Sequence, residues 1–119
     1  IFRYGGEEFT IIIRNAGTTA KAVEIAERLR TNVSKTNISV VRPPKNGDEP
    51  KPESLHVTCS IGIVDVAEYT TGTNGCANDE VVNSIADNAR KGAESMMRLA
   101  KESGKNQVRH ASPVPNSDI

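Results

Sequence analysis

At 119 residues the chain has room for one small domain, or part of one. Its 15 basic and 15 acidic residues cancel, so no bulk charge marks nucleic acid or a membrane surface as partner, and an anionic ligand needs a local site. No apolar run approaches the roughly 20 residues of a spanning helix, and no signal-peptide pattern appears. The chain opens on IFRYGGEEFTIII. Residues 1–4 and 9–13 are rich in aromatic and β-branched side chains around Gly5-Gly6, which predicts a hairpin over 1–13. A tight turn with glycines at positive φ would join its strands. Because the first strand has only four residues, a further strand is expected upstream. Next, Ala22, Val23, Ile25, Ala26, Leu29 and Val33 recur at spacings of three and four, which predicts a helix over 18–33 capped by Thr18 or Thr19.

The stretch 42–54 holds four of the six prolines together with Gly, Asn and charges, and reads as an exposed loop between strands. LHVTCSIGIVDV follows and predicts a strand over 55–66, in which Gly62 marks a close neighbour. After a loop through Cys76, the apolar stripe Val82, Ile85, Ala86, Ala89, Ala93, Met96, Met97, Ala100 predicts a helix over 79–103. Gly92 interrupts its helix formers, and Gly104 falls where a left-handed cap would close it. A short strand at 107–110 and a disordered tail at 111–119 complete the order, which is an α+β pattern. Cys59 and Cys76 lack metal or framework spacing, which favours reduced thiols in a cytoplasmic setting. His56 and His110 have no acid-base or metal partner in sequence and read as structural or surface residues.

The chemistry concentrates at GGEE. On a strand, Glu7 and Glu8 would point to opposite faces, so both reach one ligand only if the chain bulges. A carboxylate beside Gly5-Gly6 suits a nucleotide: glycine admits a phosphate or sugar to the backbone, and the acid holds the accompanying divalent cation. An isolated GGEE reads first as a solvated surface turn, and its flanks decide otherwise. RYGGEEF resembles the signature of the GGDEF family, the diguanylate cyclases that condense two GTP into cyclic di-GMP. AERLR (26–30), VTCSIGI (57–63) and AKESGKN (100–106) are similar to later family segments, in the same order.

The resemblance implies a ferredoxin-like, nucleotidyl-cyclase palm-type antiparallel sheet carrying helices, with residues 1–110 as the C-terminal part of the domain and its N-terminal part lacking. It implies that Glu7 binds metal and takes the proton from the attacking 3′-hydroxyl, and that Glu8 is the second acid. Gly5 and Gly6 would admit the nucleotide, and Lys101 would contact the triphosphate. Lys105 stands where the family has arginine, keeping the charge without the bidentate fork. Both lysines also suit a helix C-terminus whatever the function. Arg28 matches an arginine that binds inhibitory product dimers in some members. Mg²⁺ or Mn²⁺ is the implied cofactor. GTP and a second GGDEF subunit are the implied partners, with neither nucleic acid nor membrane contact from this segment.

Two departures stand out. The segment before Lys101 has Glu94 where the family's ADxALYxAK has Asp, while an Ala86-Asp87 lies seven residues earlier. The family's other Asp metal ligand, its guanine-binding Asn and Asp, and its RxxD inhibitory site have no match in the chain. The first reading is therefore part of a bacterial signalling enzyme, inactive as this fragment. The second is a degenerate domain that senses GTP or cyclic di-GMP, and a plain α+β interaction domain is the third.

Overall fold

The computed structural model describes residues 1–70 and 78–111. Within these the architecture is α+β: two helices, three two-stranded pairings and one short 3-10 turn. The expectations for the loop around Cys76 and for the tail from 112 onward lie outside the described residues.

β1 (Phe2–Arg3) and β2 (Phe9–Thr10) pair antiparallel, with Phe2 opposite Thr10 and Arg3 opposite Phe9. The expected tight turn is replaced by a wider one. Tyr4 N–H and Gly5 N–H both donate to Glu8 O, at 2.8 and 3.3 Å, so the reversal takes in Tyr4 through Glu8. A loop this wide needs no left-handed residue, and neither Gly5 nor Gly6 has a positive φ.

α1 runs Thr19–Lys35, and Thr18 Oγ1 caps it by accepting from Lys21 N–H at 3.1 Å. Its apolar stripe faces β5 and β6, and Ala26 is buried there. β3 (Ile38–Val41) pairs antiparallel with β4 (Pro52–Leu55) and forms a ribbon that packs on no other element among the described residues. Proline can open β4 because this is an edge strand.

In the run expected as one strand over 55–66, Leu55 closes β4 and only β5 (Ile61–Ile63) pairs again. The chain then turns at Asp65, whose carboxylate accepts from Ala67 N–H at 3.0 Å and starts the 3-10 turn Val66–Tyr69. β5 lies parallel to β6 (Val108–His110), in the register Ile61 opposite Val108 and Ile63 opposite His110. A parallel pair needs a long crossover. Here it contains α2 (Asp79–Glu102), capped where Asn78 Oδ1 accepts from Val81 N–H at 2.8 Å.

α2 is continuous through Gly92, where the missing side chain admits the Tyr69 hydroxyl. It lies on β5 at Gly62, where a Cβ would meet the backbone of Ala93 and Met97. This is the close neighbour that the glycine in the strand predicts. Among the described residues Ala26, Ala89 and Ala100 are the buried apolar ones. Larger side chains line an open cleft between the hairpin, α1, β5 and α2.

Candidate functional site

The cleft has a volume of about 1800 Å³, and Ile25, Leu29, Ile61 and Met97 supply part of its apolar wall. Four groups singled out in the sequence, Glu7, Glu8, Lys101 and Lys105, are among the residues that line it. The wide turn lets both glutamates border the same space. On a regular strand they would diverge.

Arg3 holds this turn from the strand side. Its Nη2 donates to Gly6 O at 2.8 Å and its Nε to Gly5 O at 3.3 Å. Gly5 and Gly6 are exposed at the outer end, and open space surrounds the position of a Cβ on either. That openness suits close approach by a ligand.

Two cationic contacts join the hairpin to α2. Lys101 Nζ lies 3.7 Å from Glu7 Oε1, and the Arg90 guanidinium sits over the Tyr4 ring, 4.6 Å from its centroid. Glu7 is 86% exposed and Lys101 42%, so the pair contributes little to stability. What it brings about is placement, since an acid from the opening motif and a base from the end of the chain share one point. Arg90 also pairs with Glu94 at 3.6 Å, and Glu94 receives Arg98 at 3.3 Å.

Lys101 lies in the last turn of α2, where the helix C-terminus favours a cation. Beyond it the chain stays at positive φ for three residues: Gly104 at 120°, Lys105 at 63° and Asn106 at 49°. Lys105 N–H donates to Ala100 O at 3.0 Å and closes the helix end. The two lysines thus stand on either side of the helix stop, and both line the cleft.

Arg28 is apart from this group. It lies exposed on α1, 3.8 Å from Glu24 in the previous turn, and does not line the cleft. Among the described residues no three of His, Cys, Asp and Glu converge as a metal cage. One exposed carboxylate, that of Glu7, nevertheless fits a hard cation that arrives with phosphate oxygens of its own. Cys59, half-buried, is a free thiol whose pKa burial raises, an effect Arg30 partly offsets.

Sequence reasoning missed Arg3, Arg30 and Arg90. Arg3 was visible within RYGGEEF but its partners are backbone carbonyls, and the Arg90–Tyr4 contact spans the whole fold.

The family model for the diguanylate cyclase GGDEF domain matches residues 1–107. Among curated proteins, the chain is 32% identical over 108 residues to an uncharacterized membrane protein of Staphylococcus haemolyticus, covering 91% of this chain and 24% of that protein. It is 35% identical over 106 residues to the uncharacterized protein YhcK of Bacillus subtilis, covering 89% of this chain and 23% of that protein. An uncharacterized membrane protein of Staphylococcus aureus is 30% identical over 108 residues, 91% of this chain and 24% of its own length. The chain therefore spans about a quarter of the length of the curated relatives it matches. No solved structure matches it.

Proposed function

The chain belongs to the GGDEF family of diguanylate cyclases, and from that premise we propose that its cleft takes GTP and that the intact protein condenses two GTP into cyclic di-GMP. Each 3′-hydroxyl attacks the α-phosphate of the other GTP, so two bonds form and two pyrophosphates leave. Glu7 takes the proton of the attacking hydroxyl, and Glu8 stands beside it as the second acid. Lys101 and Lys105 offset the charge that builds on the leaving pyrophosphate. Gly5 and Gly6 leave the nucleotide room at the turn. The divalent cation, Mg²⁺ or Mn²⁺, would be held by Glu7 together with phosphate oxygens, and supplies charge neutralisation on the triphosphate.

The observation that carries this reading is the meeting of Glu7 and Lys101 at 3.7 Å. When a cation and a triphosphate enter, each has a better partner than the other.

A second GGDEF subunit supplies the second GTP, so the active unit is a dimer. Residues 1–110 serve as the C-terminal part of the catalytic domain, and Arg28, exposed on α1, is available to a regulatory product dimer. The 119-residue chain alone is inactive in this reading: Glu7 is 86% exposed and the cleft is open, too loose to fix a cation and a triphosphate. Among the described residues no helix is long and apolar enough to cross a membrane. Two of the relatives above carry "membrane protein" in their names. We read the GTP site as cytoplasmic, on a protein anchored through some other segment.

The test is incubation of the intact protein with GTP and Mg²⁺, followed by chromatography for cyclic di-GMP. Product is expected, and Glu7→Gln should lower its rate by about 100-fold or more. Nucleotide binding without product would instead favour the sensor reading, which Lys105, standing in the family's arginine position, supports.

A further inference from the structure

The left-handed stop after α2 is held from outside the helix. Lys105 and Asn106 have φ of 63° and 49°, a left-handed region that most residues with a Cβ disfavour. Asparagine tolerates it readily, but lysine does not. Three sets of bonds hold this turn. Within the chain end, Lys105 N–H reaches Ala100 O, and the Gln107 amide donates to Ser103 O at 3.0 Å and to Lys105 O at 3.2 Å. Gln107 Oε1 in turn accepts from Arg109 Nε at 2.7 Å.

The third comes from α1, 76 residues away in sequence, where Arg30 Nη1 donates to Asn106 Oδ1 at 2.9 Å. Arg30 is itself fixed in direction. Glu27 Oε2 accepts from its Nε at 2.9 Å and lies 2.8 Å from its Nη2, which orients the guanidinium plane before it meets the turn. Its side chain is only 22% exposed. Arg30 does not line the cleft, whereas Lys105 does.

We infer that Arg30 is a positioning residue for Lys105: through Asn106 it holds the Gly104–Asn106 turn, and so sets the direction in which the Lys105 side chain leaves the backbone toward the cleft that Lys101 also lines. Arginine suits the task because one guanidinium can bind Glu27 and Asn106 together in a fixed plane, and an ammonium cannot reproduce that fork. The assignment of Lys105 to the triphosphate rests on the proposed GTP reading, while the hold on the turn stands on geometry alone.

The experiment uses the intact protein and two readouts. Amide hydrogen exchange at Lys105, with the middle of α2 as internal control, should be about 10-fold faster in Arg30→Met, the effect of losing one charge-assisted hydrogen bond. Affinity for a non-hydrolysable GTP analogue with Mg²⁺ should fall by about the same factor. In a Lys105→Met background, Arg30→Met should then weaken binding no further. Asn106→Asp keeps the acceptor and should retain both the slow exchange and the affinity. If the methionine variant unfolds, Arg30→Lys keeps the charge without the fork and is read the same way. Unchanged exchange at Lys105 would overturn the inference, as would an equal loss of affinity with and without the Lys105 side chain. Failure of the unsubstituted protein to bind the analogue would overturn the GTP reading, and the exchange rates would still decide the role of Arg30.

Discussion

Gly62 leaves no room for a methyl group, because the three atoms nearest to a Cβ there are backbone of α2, at Ala93, Met96 and Met97. Backbone cannot rotate away as a side chain can, so Gly62→Ala must push the helix off β5. The expected cost is about 2 kcal/mol, measured as a shift in the denaturant midpoint of the intact protein. This contact was legible in the sequence, since a glycine inside an apolar strand marks a close approach. Cys59 offers a second test at the same scale. Burial raises its thiol pKa, and the Arg30 charge lowers it only in part, so less thiolate is present at a given pH than in a free cysteine. In a Cys76→Ser background, alkylation of Cys59 near about pH 8 should be slower than that of an unfolded peptide, and the ratio should close under denaturant. The arginines at 3, 30 and 90 were illegible as site residues. Their partners are carbonyls of the turn, a side chain 76 residues away and the Tyr4 ring, and the sequence does not display proximity of that kind.

At the scale of elements, capping and periodicity account for both helices. Thr18 and Asn78 each accept from the backbone three residues on, and Thr18→Ala or Asn78→Ala should each lower stability by about 1 kcal/mol in thermal or urea unfolding. The apolar stripes that announce α1 and α2 are the faces they turn toward β5 and β6. The hairpin was legible as a hairpin, but its turn was not. Gly5-Gly6 suggests a two-residue loop by local propensity, while the hydrogen bonds of Tyr4 and Gly5 to Glu8 make a wider one. With this wider loop both Glu7 and Glu8 line the cleft. The run over 55–66 has strand composition throughout, yet only Ile61–Ile63 pairs, with β6. Composition states which residues tolerate extension, and a neighbouring edge decides which of them pair.

At the scale of the molecule, the apolar surface is poorly covered. Phe2, Phe9 and Ile12 are each more than 60% exposed, and the described pairings are two-stranded, leaving one edge of every strand unpaired. Isolated as 119 residues, the chain should bind a hydrophobic dye such as ANS, melt over a broad range and self-associate as its concentration rises; a sharp, concentration-independent melt of a monomer would contradict this. The sequence by itself determined the opening hairpin, the two helices and the family, because each is written in local spacing and in motifs that survive without neighbours, whereas the β3–β4 ribbon and the break between Leu55 and Ile61 are set by pairing. Only the tertiary structure decided that the acid of the opening turn meets the lysine of the closing helix, and that Arg30 holds the turn carrying the second lysine. Those pairs are set by how α2 crosses from β5 to β6 and by where α1 lies against them, and a packing geometry between segments distant in the chain leaves no periodic trace in the chain itself.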